Sequence, residues 1–109
     1  MKIIHNKLVR DNIPTIIKNS GKTCKVHTLN RQEYQDELKK KLLEEVNEVL
    51  EASSKEHLIE EMADVMEVFK ALQKSYKIDN ESIEKVRIIK ANKNGAFNDQ
   101  IYLEYVEEE

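Results

Sequence analysis

Five acidic residues in two short stretches are the side chains best placed to do chemistry. The stretches are Glu44-Glu45-Val46-Asn47-Glu48 and Glu61-Met62-Ala63-Asp64, and each holds two carboxylates three residues apart. At about 100° per residue, a spacing of three places both carboxylates of a pair on one flank of a helix. If the two stretches are helices packed face to face, four carboxylates can therefore meet in one groove.

The charged neighbours of these acids indicate how their charge is balanced. The first two acids of the first stretch have Lys40 and Lys41 four residues earlier, the spacing of a helical ion pair. Glu48, Glu61 and Asp64 have no cation three or four residues away in either direction. Two carboxylates about 5 Å apart repel by roughly 3 kcal/mol at an effective dielectric near 20. A groove that holds all of them therefore needs a compensating cation.

A hard divalent metal ion would supply that charge. Mg²⁺ prefers carboxylate oxygens, keeps several waters and often binds substrate phosphates at the same time. At a polyphosphate it would offset charge that develops in the transition state and lower the pKa of an attacking water. The alternative interpretation is that these acids are ordinary solvated residues on amphipathic helices, which are common on protein surfaces.

Two long amphipathic helices are predicted to carry the acids. The first spans residues 31–52 behind the N-cap Asn30, and the second begins at a capping box of Ser53 with Glu56 and ends near Tyr76. Apolar residues recur at spacings of three and four and form two stripes: Leu38, Leu42, Leu43, Val46, Val49 and Leu50 on the first helix, and Leu58, Met62, Val65, Phe69, Leu72 and Tyr76 on the second. Since only a few residues join these helices, they should pack antiparallel.

Shorter elements are predicted before the two long helices. Asp11 can cap a short helix over residues 12–19, with Pro14 in the first turn, where its missing N–H does no harm. Residues 24–29 are β-tolerant and semi-apolar, which predicts a brief extended segment.

A third amphipathic helix is predicted after the two long ones. It begins at Asp79 or Asn80, runs to about Lys93 and is stopped by Gly95. Residues 97–106 alternate imperfectly and predict a strand or an extended arm. The predicted fold is all-α: an antiparallel helical bundle with short extended N- and C-terminal segments.

Composition restricts the class of protein. Charged residues make up 36% of the 109 residues and aromatic residues 6%, which favours helices over a β-sandwich or barrel. Residues 1–109 contain no linker-like stretch and are expected to form one domain. A net charge of -3 argues against binding a nucleic-acid polymer. The single cysteine, Cys24, and the lack of a leader or a membrane-spanning run suggest a cytoplasmic protein.

A chain of this length buries a limited fraction of its surface. An apolar helix face left over after folding would be covered by a second copy, so a homo-oligomer, either a dimer or a tetramer, is expected. The three histidines, His5, His27 and His57, show no ligand spacing with one another or with the cysteine, which favours surface or core roles.

The acidic pattern resembles the MazG-like branch of the all-α nucleoside triphosphate pyrophosphatases, which includes the phosphoribosyl-ATP pyrophosphohydrolases. Their signature, E-E-x-x-E followed by E-x-x-D, matches residues 44–48 and 61–64. The opening Asn6-Lys7-Leu8-Val9-Arg10-Asp11-Asn12-Ile13-Pro14 resembles the N-terminal motif of a MazG-like subgroup, and Gly95 with Phe97 matches its Gly-x-Phe element. The resemblance implies an all-α nucleotide pyrophosphohydrolase and spans nearly the whole chain.

The resemblance also implies roles for individual residues. The Mg²⁺ ligands, which Mn²⁺ can share, would be Glu45, Glu48, Glu61 and Asp64. Glu44 would lie just outside them, and Glu45 or Glu48 would be catalytic by orienting or deprotonating the attacking water. The residues that contact substrate phosphates would be Lys7, Arg10, Lys90 and Lys93. Asn94 stands where the subgroup usually has arginine, and Lys93 is a point charge without the bidentate fork of arginine.

Three functions follow from these residues. The leading one is metal-dependent hydrolysis of a nucleoside triphosphate, or a related nucleotide, between the α and β phosphates to give the monophosphate and pyrophosphate. Hydrolysis of phosphoribosyl-ATP in histidine biosynthesis would use the same acids. A helical interaction module would use them as a protein-binding surface, with no metal and no reaction.

Overall fold

The computed structural model describes residues 1–108 and contains four α-helices. In chain order these are α1 (Ile13–Asn19), α2 (Arg31–Glu51), α3 (Lys55–Ser75) and α4 (Asn80–Asn94). Residues 1–108 contain no strand, so the all-α prediction is confirmed and neither 24–29 nor 97–106 forms one. The chain forms two compact units, Met1–Lys77 and Ile78–Glu109. Over the part of the chain that is described, no helix is both long enough and apolar enough to cross a membrane.

Helices α2 and α3 form an antiparallel pair, as predicted. Near the start of α2, Arg31 Nη2 and Gln35 Nε2 each donate a hydrogen bond to the carbonyl oxygen of Ser75 at 3.3 Å. One turn further on, Lys39 Nζ lies 5.2 Å from the ring centroid of Tyr76, a cation–π contact. The start of α2 therefore lies beside the end of α3. Its side chains also satisfy one of the carbonyls that the last turn of a helix leaves without an intrahelical partner.

The N-termini of both long helices are closed by side chains. The Asn30 side chain accepts a hydrogen bond from the backbone N–H of Glu33 at 2.9 Å, and the Glu33 carboxylate accepts one from the N–H of Asn30 at 3.3 Å. This reciprocal pair is a capping box. The cap predicted at Ser53 is wrong by one residue, because the hydroxyl of Ser54 accepts from the N–H of His57 at 3.1 Å and α3 begins after it.

The short helix α1 begins one residue later than predicted. Its N-cap is Asn12 and not Asp11, and within residues 1–108 the Asn12 side chain makes no capping hydrogen bond. The backbone closes the turn instead, since the N–H of Ile13 donates to the carbonyl of Arg10 at 3.1 Å. Pro14 in the first turn has no N–H to satisfy, which lowers the need for a side-chain cap.

Helix α4 has the predicted ends. The Asp79 side chain accepts a hydrogen bond from the N–H of Ser82 at 2.8 Å and caps the first turn. Gly95 ends the helix at φ +87°, a left-handed conformation that glycine adopts at little cost.

The hydrophobic core of the chain is small. In the part of the chain that is described, the buried apolar residues are Leu38, 3% exposed, and Val68, 9% exposed. The stripes predicted to pack are only partly covered, and their exposed members are Leu43, Val46, Leu50, Leu58, Met62, Phe69 and Tyr76. A broad apolar stripe needs more than one neighbouring surface to cover it. The pairing of α2 with α3 was predicted correctly, but the extent of its core was overestimated.

The two asparagine caps allow a matched test of the capping box. We expect Asn30→Ala to lower the free energy of unfolding by about 1 kcal/mol, because the N–H of Glu33 loses its acceptor. That loss corresponds to a fall in Tm of roughly 4–8 °C in thermal unfolding followed by circular dichroism. The control, Asn12→Ala, should leave Tm nearly unchanged, and equal effects of the two variants would contradict the assigned cap.

Candidate metal centre

The short connection between α2 and α3 determines which acids face each other. Three residues, 52–54, lie between the two helices. Glu45 lies six residues before the end of α2, and Glu61 lies six residues after the start of α3. At 1.5 Å per residue, each is about 9 Å from the hairpin turn. An antiparallel pair with this connection therefore sets the two glutamates at the same height.

Three of the predicted ligands come together between the two helices. Glu45, Glu61 and Asp64, called the acid group below, each offer one carboxylate oxygen, and these three oxygens lie within 4.8 Å of one another. The side chains of Glu45 and Glu61 are only 13% and 14% exposed, whereas that of Asp64 is 40% exposed. An all-carboxylate donor set that is partly open to solvent fits a hard divalent cation such as Mg²⁺.

The other two acids of the first stretch lie differently. Glu48 is exposed, and among residues 1–108 the acid group does not include it. Glu44 is half-buried and has two lysines near one carboxylate oxygen, Lys41 at 3.5 Å and Lys7 at 3.8 Å. The ligand role of Glu48 and the outer role of Glu44 remain predictions.

Each carboxylate of the acid group has a basic side chain beside it. Arg10 Nη2 donates a hydrogen bond to Asp64 Oδ1 at 2.8 Å, and Lys41 Nζ lies 3.6 Å from Glu45 Oε1. Arg10 and Lys7 were predicted to contact substrate phosphates. In the folded chain Arg10 contacts the acid group, and Lys7 contacts Glu44 beside it, so the N-terminal motif brings positive charge to the acids.

The third basic neighbour was missed by the sequence analysis. His57 Nε2 lies 3.3 Å from Glu61 Oε1, four residues further along α3. The prediction considered histidine only beside another histidine or the cysteine, and it treated Glu61 as lacking a basic residue at helical spacing. The signal was present in the sequence, because side chains four residues apart are neighbours on a helix.

The surroundings of Glu45 raise the pKa of its carboxyl. Burial raises the pKa of the Glu45 carboxyl above its ordinary value, the nearby carboxylates of Asp64, Glu44 and Glu61 raise it further, and Lys41 opposes them. Both raising effects disfavour the charged form. A carboxylate with a raised pKa is a stronger base, which suits a general base.

The remaining predicted phosphate contacts belong to the second unit. Lys90 and Lys93 lie on α4, with Lys93 in its last turn, and Asn94 is the final residue of the helix. Their contact with substrate remains a prediction.

Comparison with known proteins identifies a family. A family model described as phosphoribosyl-ATP pyrophosphohydrolase matches residues 11–92, which is more than half of the chain and includes every residue of the acid group. Neither the curated proteins nor the solved structures gave a match.

The raised pKa of Glu45 predicts how stability depends on pH. Because the folded protein holds this proton more tightly than the unfolded chain, the stabilising contribution is full at acidic pH. It is lost as the pH rises through the raised pKa. At pH 7 without divalent metal, Glu45→Gln should therefore raise Tm, by roughly 4–8 °C for each 1 kcal/mol of repulsion relieved.

Calorimetric unfolding in EDTA at pH 4 and pH 7 would measure this effect. The gain should shrink at pH 4, because the wild-type carboxyl takes up protons as the pH falls. The matched control is Glu67→Gln, which neutralises an exposed glutamate of α3 outside the acid group and should change the free energy of unfolding by no more than about 0.5 kcal/mol. A lower Tm for Glu45→Gln than for wild type at pH 7 would show that the carboxylate stabilises the fold, contrary to this prediction.

Proposed function

Because the chain belongs to the phosphoribosyl-ATP pyrophosphohydrolase family, we propose that it hydrolyses a nucleoside triphosphate between the α and β phosphates in a Mg²⁺-dependent reaction. Family membership makes the chain a pyrophosphohydrolase, a hydrolase of phosphoanhydride bonds, within the MazG-like all-α superfamily. The products would be the nucleoside monophosphate and pyrophosphate. The observation that carries the proposal is the acid group, whose three carboxylate oxygens lie within 4.8 Å of one another.

Glu45, Glu61 and Asp64 would hold the Mg²⁺, or Mn²⁺ in its place. Glu48 would join them, since it follows Glu45 by three residues on the same flank of α2 and its exposed side chain is free of packing that would fix its rotamer. Once bound, the cation supplies positive charge to the phosphate oxygens and lowers the pKa of the attacking water. This donor set supports the proposal, since three partly buried carboxylates side by side repel one another and a divalent cation among them would offset that repulsion.

The bond changes follow from the products. The oxygen of water forms a bond to the α phosphorus, the bond from that phosphorus to the α–β bridging oxygen breaks, and pyrophosphate leaves with the electron pair. The proton of the water passes to Glu45 or Glu48 and then to solvent. The raised pKa of Glu45 supports its role as this base, because a carboxylate with a higher pKa is a stronger base.

Cations of the chain would bind the phosphates of the substrate. Lys7 and Arg10 already lie beside the acids, which supports their assignment to this part of the nucleotide. Lys90 and Lys93 on α4 would add two point charges.

Phosphoribosyl-ATP is the second candidate substrate. The match to a family with that description favours it. Its hydrolysis breaks the same α–β phosphoanhydride bond, so the same acids and cations would serve both reactions.

The exposed apolar stripes support a homo-oligomer, either a dimer or a tetramer. Leu43, Leu50 and Met62 are 63%, 79% and 53% exposed although they belong to the predicted packing faces. A second copy of the chain would remove such surface from water at about 25 cal/mol per Å². Neither a nucleic-acid polymer nor a membrane is proposed as a partner, since the net charge is -3.

The proposal predicts a metal-dependent release of pyrophosphate. The purified protein would be incubated with canonical and modified nucleoside triphosphates and with phosphoribosyl-ATP, in Mg²⁺ or in EDTA. Release should require Mg²⁺, and Glu61→Gln and Asp64→Asn should each lower kcat/KM by more than about 100-fold, because even residues that only support a metal ligand are worth 10- to 100-fold. The control Glu67→Gln should keep wild-type activity.

Substrate preference would follow from the same panel. Release from phosphoribosyl-ATP alone would assign the second candidate, and release from one or more triphosphates would assign the first. If the folded protein released no pyrophosphate from any nucleotide, the acids would be better explained as the surface of a helical interaction module.

A further inference from the structure

Arg10 differs from the other basic neighbours of the acid group in its position in the sequence and in the fold. Lys41 and His57 lie on the same helix as the glutamates beside them, four residues away in each case. Arg10 lies 54 positions before Asp64 in the sequence and precedes α1, outside any helix. It can therefore move away from the acid group without breaking a turn of α2 or α3.

The pair of Arg10 with Asp64 is close but open to water. The two atoms are 2.8 Å apart, while the side chains are 58% and 40% exposed. Exposed ion pairs contribute little net stability, because the charges are well hydrated when apart. Asp64 is also the most exposed member of the acid group, so it is the carboxylate that solvent ions reach most easily.

We propose that Arg10 is the counter-ion of Asp64 in the metal-free protein and that it competes with the divalent cation for this carboxylate. The inference rests on the proposed function. A guanidinium and a divalent cation repel each other when both lie against one carboxylate. Metal binding therefore favours the departure of Arg10 from Asp64, and a nucleotide offers it a new partner, because arginine binds phosphate oxygens in a bidentate manner.

Competition of this kind couples the two ligands. Metal alone must displace Arg10 into solvent, which weakens its binding. When a nucleotide is present, the displaced guanidinium gains a phosphate, so metal and nucleotide each strengthen the binding of the other. Replacing Arg10 should therefore have opposite effects on two affinities. The metal alone should bind more tightly, and the nucleotide with its metal should bind more weakly.

The test uses titration calorimetry at 25 °C with MnCl₂ alone and then with a non-hydrolysable α,β-methylene nucleoside triphosphate in Mn²⁺. Arg10→Gln should bind Mn²⁺ alone about two- to five-fold more tightly than wild type, the range expected for loss of a competing exposed ion pair. It should bind the analogue with Mn²⁺ more weakly, by about tenfold for one lost charge-assisted hydrogen bond. Arg10→Lys should lie between wild type and Arg10→Gln in both titrations.

The matched control is Lys40→Gln. It also removes one positive charge from the chain, but from the pair of Lys40 with Glu37 on α2, where Nζ and Oε1 are 3.1 Å apart and neither residue belongs to the acid group. It should leave both affinities near those of wild type. If Arg10→Gln binds Mn²⁺ no more tightly than Lys40→Gln does, the proposed competition is wrong. The proposed function would still stand in that case if Glu61→Gln weakened the binding of Mn²⁺. If the wild type binds no Mn²⁺ and releases no pyrophosphate, both are wrong.

A second measurement avoids substitution altogether. In ¹⁵N-labelled wild-type protein, the Nε–Hε signal of Arg10 should shift when Mg²⁺ is added, because its carboxylate partner is lost. The signal of Arg87, which pairs with Glu84 on α4, should stay in place. An unmoved Arg10 signal at a Mg²⁺ concentration that saturates the site would overturn the inference.

Discussion

Repulsion among the carboxylates of Glu45, Glu61 and Asp64 is the constraint on which the rest of the structure depends. Two of these side chains are about seven-eighths covered, so water screens their charges poorly. Three basic side chains, one beside each acid, reduce this repulsion. The pKa of the Glu45 carboxyl is nevertheless raised above its ordinary value. Charge balance therefore explains why the N-terminal motif lies beside the acids.

The rest of the α2–α3 pair must hold this group together with few buried residues. Leu38 and Val68 form the apolar centre, and Gln35 is buried with its amide donating to the carbonyl of Ser75. The capping box at Asn30 and the cation–π contact of Lys39 with the ring at the end of α3 add local support. Polar contacts at the helix ends thus contribute part of the stability that a larger core would provide.

Local chemistry explains what could be predicted from the sequence. The helix ends were predicted to within about one residue, because caps such as Asn30 and the glycine at Gly95 act on their immediate neighbours. The pairing of Glu45 with the second acidic stretch followed from helical periodicity and a short connection. The contact of Arg10 with Asp64 could not be predicted in this way, since residues so far apart in sequence meet only after the chain has folded. The exposure of Glu48 depends on which flank of α2 is covered by α3, a matter of helix rotation that periodicity leaves open.

The three-residue connection between α2 and α3 restricts where residues can be inserted into this chain or deleted from it. Glu45 and Glu61 are sixteen positions apart, and this interval contains the end of one helix, the turn and the start of the next. One residue added to α3 before Glu61 would rotate the second acidic pair by about 100° and carry it 1.5 Å along the axis. Residues 22–30 lie in neither a helix nor a strand, so additions there would leave the acids in register. Insertions and deletions should therefore be tolerated within residues 22–29, ahead of the cap Asn30, and rejected between the two acidic stretches.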